Sequence, residues 1–237
     1  MPRRVMHPHV FRRPPRPPEL PAALPALVPF LAGTLQDVCV SVQAHGLVTT
    51  HALAVRCLPG DLRFTAPLLR HHVGRLTRGC HVLLWPLAAP CLAALAASEC
   101  GGDPRHEALE DALATLLEEA ERHRGDPARR GVFLEALPPL LRSAGLVSLR
   151  FASRTLPLLL EWTCAVDLPT VAGALHALGL FVRCAWVRVA THAGALWRSL
   201  RLAARNLVEV RGCAWSHGCD TAKVHLRFTS LERSPPL

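Results

Sequence analysis

Isoleucine and tyrosine are absent from this 237-residue chain, lysine occurs once (Lys223), asparagine once (Asn206) and methionine twice. The scarce residues need AT-rich codons, whereas arginine codons can be GC-rich. A GC-biased gene accounts for the gaps and for part of the excess of 27 Lys+Arg over 18 Asp+Glu. The formal charge of +9 is therefore read first as a solvated basic surface. A basic nucleic-acid-binding helical protein remains an alternative reading. Recognisable chemistry is missing as well. There is no phosphate loop, GxSxG elbow, HExxH or CxxC pair, so no sequence signature points to an enzyme, a catalytic residue or a cofactor. The nine cysteines are an odd number without framework spacing. Cys39, Cys57, Cys91, Cys164 and Cys184 sit in apolar runs and read as small buried hydrophobes with reduced thiols.

What the chain does contain is leucine and alanine, which favour helix over strand. Residues 1–18, with "RRPPRPP", read as a disordered basic Pro-rich leader, because the prolines interrupt both a signal core and an amphipathic transit helix. "GCHVLLWPLAAPCLAALAAS" (79–98) has no charged residue and is long enough to span a membrane. Pro86 and Pro90 favour a central helix covered on several sides instead. Together with the apolar run 20–33, it keeps a helical membrane-associated protein as an alternative, with no membrane span favoured.

Helical periodicity organises residues 19–206. Leu109, Ala112, Leu113, Leu116, Leu117 and Ala120 form one stripe, covered by Glu110, Asp111, Glu118, Glu119 and Glu121. Asp103-Pro104 predicts the start of that helix and Asp126-Pro127 the start of the next, which carries Phe133, Leu137, Leu140, Leu141 and Ala144 and stops at Gly145. A third helix presents Leu146, Leu149, Leu156 and Leu159 inward. A fourth opens at Asp167-Leu168-Pro169, with Val171, Ala174, Leu175, Leu178 and Phe181 on its face. The last runs from about Trp186 to Arg205, with Trp186, Val189, Ala193, Leu196 and Leu200 inward. Upstream helices are expected near 20–31, 34–45, 46–58, 62–76 and 79–98. Alternate starts lie about 40 residues apart, the period of two-helix HEAT or armadillo units. The fold class is thus all-α, a HEAT/armadillo-like helical-hairpin solenoid. Pro138 and Pro157 fall within this pattern, either bending helices held by their neighbours or marking the starts of shorter ones. Residues 207–237 have no helical stripe and read as a loosely ordered tail.

Candidate sites are few. Cys213, His217 and Cys219 in "CAWSHGC", with His225, lack the regular spacing of a zinc site, so no metal ligand is assigned. His71-His72 reads as a surface pair. The carboxylates of 107–121 read as solvated or paired with arginine. Trp85, Trp162, Trp186 and Trp197 lie in helical runs and read as core more readily than as nucleotide-stacking platforms. Trp197 with the Arg198, Arg201, Arg205 stripe is the candidate partner-binding face, because Trp and Arg are the types enriched at interface hot spots.

The ordered series "HEALEDALATLLEE" (106–119), "RRGVFLEALPPLLRSAGLVSLRFASRTLPLL" (129–159), "ALHALGLF" (174–181) and "CAWVRVATHAGALWRSL" (184–200) resembles the C-terminal HEAT-like part of the Tel-two-interacting protein two family. Val187 stands where that family usually has Pro. The resemblance implies the smallest subunit of the Triple-T co-chaperone complex, which matures phosphatidylinositol-kinase-related kinases. Its protein partners would be the large HEAT scaffold subunit and the Tel-two-type subunit, without nucleic acid, in cytoplasm and nucleus.

Overall fold

The structure, a computed structural model, describes residues 20–79 and 81–216; for 20–22, 187–190 and 206–216 only the backbone is described. The leader 1–18 and the stretch 217–237 lie outside the described residues. Among those described, every regular element is helical: α1 Leu20–Leu35, α2 Val40–Arg56, α3 Pro59–Leu62, α4 Ala66–Thr77, α5 Trp85–Cys100, α6 Glu107–Arg122, α7 Pro127–Ala144, a 3-10 segment Gly145–Phe151, α8 Ala152–Trp162, α9 Leu168–Cys184 and α10 Trp186–Ser216.

The helices pack in two rows. One row runs α1, α4, α6, α8, α10 and the other α2, α5, α7, α9, each helix touching the next in its row. Chain neighbours α1/α2, α4/α5, α6/α7 and α8/α9 pair across the rows. The core lies between them. All six residues of the α6 stripe are buried, as are Phe133, Leu137, Leu140, Leu141 and Ala144 of α7 and Val171, Ala174, Leu178 and Phe181 of α9. The chargeless stretch is central, since α5 touches α2, α3, α4, α6 and α7. It begins only at Trp85, with Pro86 in its first turn, so 79–98 is not one helix. Burial raises the pKa of its Cys91 thiol, which stays protonated and inert. One described helical stretch, Pro127–Trp162, is long and apolar enough to cross a membrane, and half of its apolar window is buried within the fold.

Several expectations are corrected. Residues 34–58 form one main helix rather than two, because Gly46 is not a break. An added Cβ there would lie 2.6 Å from Thr34 Oγ1, so the glycine lets α2 approach α1. Asp103 does not cap α6. Its Oδ1 accepts from Arg105 N within the preceding turn, and His106 Nδ1 accepts from Ala108 N at the cap position. Asp126 and Asp167 do cap, accepting from Ala128 N at 3.0 Å and Thr170 N at 3.0 Å. After Gly145 the chain first makes a 3-10 segment, and Leu146 there is exposed. Cys39 is exposed at the N-terminus of α2, whereas Cys57 and Cys91 are buried and Cys164 and Cys184 half-buried. No disulfide joins the described cysteines. The backbone of α10 continues to Ser216, past the apolar spacing that ends at Arg205.

Pro138 and Pro139 lie inside α7, and Pro157 lies inside α8. Neither Pro138 nor Pro157 is a helix start. α7 is held by α5, α6 and α9, and packing against neighbours keeps a helix together where proline removes a backbone bond.

Candidate functional site

The acidic surface of α6 is not an open carboxylate cluster. Arg70 on α4 donates to Glu99 of α5 at 2.8 Å and to Asp111 at 2.7 Å. Arg150 pairs with Glu110, and Arg154 grips both oxygens of Glu121 at 2.9 and 2.6 Å. The Arg154 hydrogen bonds hold the Glu121 carboxyl below its ordinary pKa and raise that of the guanidinium. Glu119, expected on the outer surface, is buried. It pairs with Arg122 and lies within 3.8 Å of both His123 Nε2 and Arg129 Nη1. Arg129 also stacks 5.7 Å from the Trp85 ring, and its carbonyl accepts from Trp85 Nε1 at 3.0 Å. This group ties α5, α6 and α7 together. A buried carboxylate is retained there because two guanidiniums compensate it.

α10 is built differently. Among its described side chains Leu196 and Ala203 are buried, and the helix rests on α8 and α9. At about 100° per residue, Trp186, Ala193, Trp197 and Leu200 share an arc of about 60° beside that seam. All four are exposed, Trp186 by 72% and Trp197 by 63%. Trp186 was expected in the core; Ala185 takes the buried position, and the seam passes to one side of Trp186. The apolar sector of α10 is thus wider than the surface α8 and α9 offer it. Arg198, Arg201 and Arg205 flank its far side, exposed and without an ion pair among the described residues. The four candidate residues therefore lie together on one open surface.

Trp85 and Trp162 are core residues, and Trp162 meets Phe133 edge to face at 5.6 Å. The side chains of Cys213, His217, Cys219 and His225 lie outside the described residues. Among the described residues, no three His, Cys, Asp or Glu side chains are grouped to hold a metal ion. The described residues form an all-α fold of paired helices, and α10 presents an apolar and basic face. Comparison with family models, curated proteins and solved structures finds no match.

Proposed function

We propose that this chain is a non-enzymatic helical-repeat scaffold of the HEAT/armadillo type, and that α10 docks a helical protein partner. The two rows of helices and the starts of α5, α7 and α9 at 85, 127 and 168, about 40 residues apart, support the repeat reading. The observation that carries the binding reading is the exposed Trp186, Trp197 and Leu200 sector, bordered by arginines that meet no acid among the described residues. A helix at the end of a stack needs a polar cap or a partner over its apolar side, and among the described residues this side of α10 is apolar and exposed. Buried Trp anchors with an Arg rim suit a partner helix that presents an apolar stripe and carboxylates.

The resemblance to the Tel-two-interacting protein two family supplies the particular partner: the large HEAT subunit of the Triple-T complex. The work of the assembly would be kinase maturation in cytoplasm and nucleus. The test is co-purification of that subunit with wild type, with Arg201→Glu plus Arg205→Glu, and with Trp186→Ser plus Trp197→Ser, at matched thermal stability. Recovery by wild type and loss in both variants is expected. Equal recovery from all three removes α10 as the contact, and recovery from none removes the assignment to the complex.

A further inference from the structure

Far from α10 in the chain, a cleft of about 420 Å³ opens between the α1–α2 turn, the start of α2, α4 and the turn before α5. Its size is in the range of small-molecule sites, ~300–1,000 Å³. Leu35 and Leu84, both buried, line its base. Leu76 and Gly79 form part of the walls, and Gln36, Gln43, His72, Arg75 and His81 bring side chains able to donate hydrogen bonds.

No carboxylate lines the cleft among the described residues, which sets it apart from the paired arginines of α4, α6 and α8. Arg75 has no ion-pair partner there. Gln43 is pinned from behind, its Nε2 donating to the Asp37 carbonyl at 2.7 Å, and Gln36 Nε2 lies 3.4 Å from His72 Nε2. Burial, followed by the charges of His71 and Arg75, depresses the pKa of His72. Arg75 thus places a positive charge beside His72 on the cleft wall. A negative ligand would offset that charge and accept from several donors at once.

We propose that this cleft binds a small organic oxyanion, a carboxylate or phosphate on a metabolite-sized body, independently of the α10 face. Arg75 supplies the charge, Gln36, Gln43 and His81 the surrounding hydrogen bonds, and Leu35 and Leu84 the apolar floor.

The test is an NMR titration of the histidine ring resonances of the full chain. Inorganic phosphate is used in one arm and succinate in the other, with chloride at matched ionic strength as control. Saturable shifts at His72 and His81 in either arm are expected, and the arm that saturates identifies the headgroup. Arg75→Gln, an exposed position whose folding is checked by circular dichroism, should weaken the dissociation constant about tenfold or more, as loss of a charged hydrogen bond does. His81→Gln should weaken it less. Shifts that chloride reproduces, no saturation in either arm, or an unchanged constant in folded Arg75→Gln would overturn the proposal.

Discussion

Leu137 sits in α7 with no exposed surface, among side chains of the continuous core. Truncation there removes buried methyl groups and leaves a hole that surrounding helices fill only in part. Leu137→Ala is expected to cost about 2–5 kcal/mol, read by reversible denaturation; a loss under about 0.5 kcal/mol would contradict the packing. Charged residues act on a smaller scale. The Glu121 carboxyl is held below its ordinary value by Arg154, so the pair stabilises the fold above the unfolded glutamate pKa of about 4.3. That contribution fades as pH falls through the lower folded value. Both side chains are about one-third exposed, which keeps the effect below about 1 kcal/mol. An NMR titration should show Glu121 returning toward the ordinary range in Arg154→Gln; an unmoved midpoint would assign the shift elsewhere.

One helix end and one helix contact each depend on a glycine. Gly145 closes α7 at φ 51° and ψ −128°, donating its N–H to Leu141 O. A side chain resists that conformation, so Gly145→Ala is expected to cost about 1–3 kcal/mol. Gly46 acts through space rather than through its dihedrals. Gly46→Ala drives a methyl against Thr34 Oγ1, whose hydroxyl already donates to Leu31 O at 2.8 Å. The α1–α2 contact must open, at a cost of about 1–3 kcal/mol. A melting temperature equal to wild type for Gly46→Ala would mean that α1 yields freely. The prolines of α7 and α8 belong to the same scale. Pro138 is buried in a helix packed on three others, so its missing backbone bond is offset by tertiary contact.

Across the whole molecule, the tryptophans separate structure from surface. Trp162 is buried against Phe133 and Trp197 stands open on α10. Trp162→Ala is expected to lose about 3–5 kcal/mol, and Trp197→Ala to stay within about 0.5 kcal/mol of wild type. Paired denaturation curves check both. A strongly destabilised Trp197→Ala would make that residue a structural support rather than part of a docking face. The arginines divide similarly. Arg70, Arg150 and Arg154 bind neighbouring helices together, whereas Arg198, Arg201 and Arg205 meet no acid among the described residues.

The sequence by itself determined the helical class and most core registers. The 3.6-residue spacing of leucine and alanine marks one face of a helix whatever lies opposite, and Asp126-Pro127, Asp167-Leu168-Pro169 and Gly145 set boundaries through local backbone chemistry. Of the candidate site, the arginine stripe and Trp197 were legible as a register on one helix. Tertiary structure decided which apolar faces found a partner. Periodicity gave Trp186 and Leu196 alike to the core, yet α8 and α9 cover only Leu196. Glu119 lies inside, between Arg122 of its own helix and Arg129 of the next. The donors of the cleft come from two turns, α2 and α4, and only packing brings them around one space. Local patterning fixes which side of a helix is apolar; how much of that side is buried depends on the width of the neighbour, which no spacing within the helix encodes.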